Sequence, residues 1–402
     1  VKTEREKARA KRRVLVVEPD TDGHHAFWLV LIIQAFQRAG WVVSVLGPED
    51  RERVSAQANA LGLDLASVDW AVAGPKGRGG RMIVAEAAGR AAELGANRVF
   101  FAFLDNLWEG LLDADAATRR ALAGRCEGVW FHPYALDACW RWAPPLGKRW
   151  RLRGRLHRWW RGGAEGLFRA VYFLVDTAAD AMARTNAGVP CRILADPWER
   201  EPRLSRDEAR RALALPEGRT VFLHLGGSDP RKGLADVLEA FERLVRGADP
   251  RAERAPWLLR VGSNARQGKA ERARLDALVA GGWAGAVERF VPAEELPDYF
   301  AACDWTLIPY RKFRYSSGIL ANAVGAHRPV IAPDYGHIGR TVAAERLGLI
   351  YRHGSVSALT AALREATGGR PAAFEIGPER VAARSPEGWV AALAGLVRES
   401  DG

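Results

Sequence analysis

Apolar and polar positions change rhythm several times along the chain. Arg13 to Glu18 is a tight apolar run, the pattern of a buried strand. A polar loop, Pro19 to His25, follows. From Ala26 to Ala39 the apolar residues recur at helical spacing, and Gly40 closes the element. Trp41 to Leu46 is the next strand. Strand, loop, helix, strand is the unit that opens a doubly wound parallel sheet. The alternation continues, with helices expected over Arg81 to Leu94 and Leu107 to Leu122. Strands are expected over Arg98 to Asp105, Gly128 to Pro133 and Ala170 to Asp176.

The rhythm restarts after a charged stretch that carries Pro202, Pro216 and Gly218. Thr220 to Leu225 is an apolar strand. Gly226-Gly227-Ser228-Asp229-Pro230-Arg231-Lys232-Gly233 is its loop, and Leu234 to Val245 is the helix beyond. The paired glycines let a ligand approach the backbone, and Arg231 and Lys232 bring positive charge. The eight-residue phosphate-loop pattern of ATPases is absent, and the loop after the first strand lacks G-x-G-x-x-G. Further on, Trp305 to Ile308 is a strand stopped by Pro309. Ser316-Ser317-Gly318 then opens a helix that carries Ile319, Leu320, Ala323 and Val324, and Val330 to Ala332 is the next strand. A Ser-Ser-Gly helix start offers backbone N–H groups and the positive end of a dipole, which suits phosphate.

These segments together resemble the GT-B glycosyltransferases, glycosyltransferase family 4 in particular. The resemblance rests on the loop Gly226 to Gly233, the stretch from Cys303 to Asp334, and Asp334-Tyr-Gly336-His337-Ile-Gly339-Arg340, which is similar to the family's glycine loop near the sugar. It implies two Rossmann-like doubly wound domains of α/β class facing a central cleft. The expected layout is a charged leader over 1–12, an acceptor-side domain over 13–197 and a linker over 198–218. A donor-binding domain follows over 219–385, and a helix over 386–402 returns to the first domain.

The resemblance also implies residue roles. Lys232 would hold the donor diphosphate, with Arg231, Gly226, Gly227 and Ser228 around it. Val291 lies in the segment that would receive the base. Ser316, Ser317, Gly318 and Asn322 would complete the donor side. His132, at the end of a strand, would lie beside the reacting carbon. His24 would be the general base if the anomeric centre is inverted, with Gly23, His25 and Asp105 on the acceptor side. No cofactor or metal is expected, only a nucleoside-diphosphate sugar as substrate, UDP- or GDP-linked, with a glycan, lipid-linked or small-molecule acceptor and retention of configuration. One departure stands out. The family's Glu-x7-Glu positions fall on Arg314 and Asn322, and a guanidinium cannot accept hydrogen bonds from sugar hydroxyls. This keeps open a non-catalytic sugar-nucleotide-binding relative, and an epimerase or phosphorylase on the same fold.

Composition adds little more. The length of 402 residues suits two domains, and the net charge of +11 suits an anionic partner. The four cysteines have neither paired metal spacing nor histidine partners, as expected in a reducing compartment. No signal peptide is read in the Lys/Arg/Glu-rich start. A cytoplasmic location is expected, with peripheral attachment to the inner face of the cell membrane. That attachment rests on residues 137–169, where Trp140, Trp142, Trp150, Trp159 and Trp160 interleave with nine basic residues. Such a segment suits an anionic membrane surface or a lipid-linked acceptor; packing on the domain is the alternative, and nucleic acid ranks last. Asp113-Ala-Asp115 reads as a solvated helix face.

Overall fold

The computed structural model describes residues 12–75, 77–133, 147–265, 267–369, 374 and 376–400, with backbone only over 147–153. The charged leader and Trp140 and Trp142 lie outside these residues, as does the side chain of Trp150. The chain forms two compact units. The first is residues 1–195 with 386–402, and the second is residues 196–385.

The first unit is built on seven parallel strands: β1 (Arg13–Val17), β2 (Val42–Gly47), β3 (Asp69–Val72), β4 (Arg98–Phe101), β5 (Cys126–Trp130), β6 (Phe168–Phe173) and β7 (Cys191–Ile193), in the order β3-β2-β1-β4-β5-β6-β7. The second has six: β8 (Thr220–Leu225), β9 (Pro256–Val261), β10 (Ala284–Val287), β11 (Trp305–Leu307), β12 (Val330–Pro333) and β13 (Gly348–Tyr351), in the order β10-β9-β8-β11-β12-β13. Every pairing is parallel, for example Leu15 opposite Ser44 and Val99, and Phe222 opposite Leu258 and Trp305. Each strand order reverses direction once, between β1 and β4 and between β8 and β11. Such reversals open a crevice at the carboxyl ends of the strands.

The core of the first unit follows from the helix His25–Arg38. Ten of its residues are buried, so it is apolar nearly all round. It is covered on one side by the sheet and on another by the helix Pro386–Glu399. Trp389 of that helix meets Trp28 edge-on at 4.9 Å and donates its indole N–H to the Ala195 carbonyl at 3.0 Å. The same helix ends on a buried ion pair. Arg98 lies 2.8 Å from Glu127, both almost fully buried, and its guanidinium also donates to the carbonyl of Val397 and the hydroxyl of Ser400.

Several expectations need correction. The strand from Arg98 ends at Phe101, and Leu104–Asn106 is a turn of 3-10 helix. The helix expected from Leu107 to Leu122 is two, Trp108–Leu112 and Ala116–Leu122. Asp115 causes the break, because its side chain accepts from the Thr118 N–H and caps the second helix. Asp113 pairs with Arg155. Neither is merely a solvated helix face. Over 147–162 the basic segment is a helix, and Trp159 and Trp160 are core residues. Trp160 donates to the Met182 carbonyl and meets Trp130 edge-on. These two indoles are therefore not available to a membrane interface. Residues 198–218, expected as a linker, pack within the second unit. Trp198 lies against Gly325, where an added Cβ would come within 2.5 Å of the indole.

Removing the Trp389 side chain should leave a large cavity under the helix His25–Arg38. Trp389→Ala is expected to lower the unfolding free energy by about 3–5 kcal/mol. Urea denaturation followed by circular dichroism measures it, and a loss below about 1 kcal/mol would show that the return helix contributes little.

Candidate functional site

The first unit gathers titratable groups after β1, β4 and β5. Gly23 takes a left-handed φ of 57°, which turns the loop into the helix at His24 and His25. His25 Nδ1 lies 3.1 Å from Glu18 at the end of β1, and its ring stacks on Phe103 with centroids 3.8 Å apart. Phe103 in turn stacks on Phe131 at 4.1 Å. Asp105 accepts from the backbone N–H groups of Phe131 and His132, at 2.9 and 2.7 Å. Its carboxylate lies 3.7 Å from His132 Nδ1. The His24 ring sits over this cluster, 5.5 Å from Phe103 and 5.8 Å from Phe131.

Charge separates His25 from His24. Burial, the largest single effect, opposes the imidazolium of His25, but Glu18, Asp20 and Asp105 together outweigh it, and the pKa rises. Burial also raises the pKa of Glu18, against the opposing pull of His25. His24 moves the other way, down to about 4, first through loss of hydration and then through the positive charges of His25 and His132. His24 is thus held neutral at pH 7. Burial pushes Asp105 up to about 6, although two backbone N–H groups pull it down.

The second unit gathers a different chemistry after β8 and β11. Gly226 has a φ of 138°, and the Lys232 stem lies across it. Gly233 has a φ of 71°, and an added Cβ would fall 2.0 Å from the Pro309 carbonyl, so only glycine fits there. His224, buried and kept neutral by a pKa near 3, contacts the Lys232 carbonyl through Nε2 at 3.1 Å and fixes the loop from below. Lys232 Nζ lies 4.3 Å over the ring of Tyr310 and bonds its hydroxyl. The Tyr310 hydroxyl meets Ser317 Oγ at 3.2 Å, and Ser317 caps the helix Gly318–Gly325 by accepting from the Ile319 N–H. Lysine, phenol and helix start therefore form one connected cradle for an anion. Arg231 lies 4.5 Å over Phe313. Arg311 grips Asp236 through two bonds of 2.7 and 2.6 Å, which holds the Tyr310 loop to the helix Leu234–Leu244.

Other expected residues are placed nearby or otherwise engaged. Ser228 donates to the Ser263 carbonyl at 2.8 Å. Val291 is buried beside the exposed Phe290. Asn322 accepts from the Glu199 N–H at 3.0 Å and donates to the Gly318 carbonyl at 2.8 Å, so its amide ties the chain to the helix. Arg314 donates to the Tyr335 hydroxyl, and its carbonyl accepts from the His337 N–H.

Three residues escaped the sequence reading. Tyr310 is one. Asp196 and Glu199 are the others, brought to the helix start by the segment that enters the second unit. Asp196 accepts from Ser316 Oγ at 2.8 Å. Burial raises its pKa to about 6. Burial, with repulsion from Asp196 and Glu294, raises Glu199 to about 7. The only sequence signal was two carboxylates flanking Pro197-Trp198.

Residues 219–367 match the family model described as Glycosyl transferases group 1. This stretch is a glycosyl transferases group 1 domain. The chain is by that domain a glycosyltransferase enzyme, and its fold is GT-B. Among solved structures it is similar to sucrose-phosphate synthase from Thermosynechococcus elongatus, at 18% identity and a TM-score of 0.67, covering 96% of this chain and 98% of that one. The Anabaena protein HepE, solved with UDP and glucose, is 14% identical with a TM-score of 0.65, covering 97% and 99%. WaaG, a glycosyltransferase involved in lipopolysaccharide biosynthesis, is 16% identical with a TM-score of 0.58, covering 96% and 95%. No curated protein matches the chain in sequence. No helix among the described residues of this glycosyltransferase is long and apolar enough to cross a membrane.

The raised carboxyls set a pH dependence. Their folded pKa values of about 6 and about 7 exceed the unfolded ones, so the folded state holds more protons. Stability therefore falls as pH rises from about 4 to about 7 through these two groups. The double variant Asp196→Asn, Glu199→Gln lacks that loss. Its melting temperature is expected to gain on the wild type across the window; a pH-independent difference would place both carboxyls at ordinary pKa values.

Proposed function

We propose that the protein moves a sugar from a nucleoside-diphosphate sugar, UDP- or GDP-linked, to a hydroxyl of a glycan, lipid-linked or small-molecule acceptor. The donor is assigned to the second unit and the acceptor to the first, in the manner of glycosyltransferase family 4. The observation that carries this reading is the connected cradle of Lys232, Tyr310 and Ser317 at a helix start. When the bond to the sugar breaks, negative charge grows on the departing phosphate. Lys232, Arg231 and the dipole of the helix Gly318–Gly325 stand ready for that charge, so no metal is needed to offset it. Fixed groups of this kind supply about 3–4 kcal/mol each to a barrier.

Hydroxyl groups of the donor need acceptors. Arg314 cannot be one, and Asn322 is already engaged by Glu199 and Gly318. Asp196 and Glu199 lie at the same helix start and supply carboxyl oxygens there. We assign them the hydroxyl-binding role, which restores on a different segment what position 314 lacks. This favours an active enzyme over a non-catalytic sugar-nucleotide-binding relative.

Retention of configuration is the reading that the second unit's resemblance to glycosyltransferase family 4 supports. In that mechanism the departing phosphate takes the acceptor proton, and His132, held by Asp105, positions the sugar. Inversion would instead use His24, whose neutral imidazole could take the proton directly.

Two experiments test the reading. Thermal stability of the wild type is measured against UDP, GDP, ADP, CDP and dTDP. One nucleotide, at about 100 times its dissociation constant, is expected to stabilise by about 2.7 kcal/mol, and Lys232→Ala is expected to abolish the gain. No shift with any of the five would refute the donor site. Once the donor is known, the anomeric configuration of the product is read by NMR. Retention is expected, with His24→Ala staying within about tenfold of wild-type rate. A fall of about 10²–10⁴ in His24→Ala with an inverted product would make His24 the base.

A further inference from the structure

The second sheet has an opposite edge, where its strands begin. Four arginines gather there. Arg219 stands just ahead of β8, Arg254 ahead of β9 and Arg328 ahead of β12, while Arg206 begins the helix Arg206–Ala212. Together with Asp304, ahead of β11, they line a recess of about 410 Å3. Parallel pairing brings these positions to one edge although they span more than a hundred residues of sequence.

The charges do not cancel. Asp304 is consumed by Arg206, at 2.9 Å, and by Arg210, at 2.6 Å. It also accepts from the Val221 N–H. Arg219 is held by neutral groups, donating to the carbonyls of Ala255 and Pro256 at 2.9 and 2.7 Å and lying over the rings of Trp257 and Trp283. Arg328 donates to the carbonyls of Phe300 and Ala301. Carbonyl oxygens and rings orient a guanidinium but leave its unit charge in place. Lost hydration lowers the pKa of Arg219, with no carboxylate opposing the shift.

Arg254 differs from the rest. Its side chain has no hydrogen bond or ion pair among the described residues. Its backbone sits in the left-handed region, φ 60°, which side-chain-bearing residues avoid. That conformation is held by the Arg254 N–H on the Gly218 carbonyl and by Thr220 Oγ1 on the Arg254 carbonyl. The guanidinium lies against Gly369, where an added Cβ would fall 2.5 Å from Nη2. An unfavourable backbone conformation and a glycine together keep at the recess a guanidinium that is unpaired among the described residues. Such local strain commonly marks a functional position.

We propose that this recess is a second anion site, for a small soluble phosphate or diphosphate compound, separate from the donor cradle at the other edge of the sheet. Guanidinium groups suit such oxyanions because their planar donors match phosphate oxygens in pairs. The size of the recess admits a small molecule and not a macromolecule. In this site Arg254 is the free ligand arm, and Arg219 and Arg328 supply fixed charge.

The test uses pyrophosphate and the full chain carrying Lys232→Ala, which disables the donor cradle and leaves the recess intact. Isothermal titration at constant ionic strength is expected to show one pyrophosphate site. Adding Arg254→Gln is expected to weaken it at least about tenfold, a loss of about 1.4 kcal/mol. Arg254 makes no side-chain hydrogen bond or ion pair among the described residues, so the variant should melt with the Lys232→Ala protein, and a melting curve checks this. Inorganic phosphate in the same titration shows whether one phosphate group suffices. Absence of binding in Lys232→Ala, or equal affinity with and without Arg254→Gln, would overturn the proposal. Failure of the donor assignment would look different: nucleotide stabilisation of the wild type would then survive Lys232→Ala.

Discussion

Parallel strand pairing is the constraint on which the other features depend. In a parallel sheet every strand runs the same way, so every loop after a strand emerges on one edge. The reversal of strand order then leaves a crevice at the β1/β4 and β8/β11 junctions. In the first unit the loops at and beside that junction carry His24, His25, Asp105 and His132. In the second, they carry Gly226 to Lys232 and Tyr310 to Gly318. Residues far apart in sequence meet because hydrogen-bond geometry leaves them nowhere else to go. The same rule collects the residues ahead of the strands on the other edge, and that is why four arginines share one recess.

Within each site a few packed groups set the chemistry. In the first unit the Phe103–Phe131 stack is the floor, and it excludes water beneath the histidines. Carboxylates then divide the labour, with Glu18 raising His25 and Asp105 holding the backbone and ring of His132. In the second unit Tyr310 is the hinge of the arrangement. Its hydroxyl joins the ammonium of Lys232 to the hydroxyl of Ser317, and the Arg311–Asp236 pair keeps its loop in place.

Much of this was legible in the sequence. Apolar rhythm placed the strands from Arg13, Trp41, Thr220 and Trp305, because a strand buried on both faces has an uninterrupted apolar run. Of the paired glycines read for close backbone approach, Gly226 lies under the Lys232 stem and Gly227 faces open space, while Gly233, which had no such reading, abuts the Pro309 carbonyl. What escaped has a common cause. Asp196 and Glu199 lie more than a hundred residues from Ser316, and no local pattern signals a carboxyl whose partner is that remote. Nothing local to Tyr310 marks its hydroxyl as the link between Lys232 and Ser317. Trp159 and Trp160 misled because charge density in a sequence says nothing of which face of a helix is covered. Asp115 was read as part of a helix when it begins one.

The return helix Pro386–Glu399 has a further consequence. The first unit is interrupted in sequence, with the second inserted between Ala195 and Pro386. During synthesis on the ribosome, domains generally fold as units as they emerge. Here the first unit is completed only after the second has been made. Residues 196–385 are already available to fold while the helix His25–Arg38 still lacks the cover of Trp389. Until that helix is made, the ring of Trp28 lacks the apolar cover that Trp389 gives it.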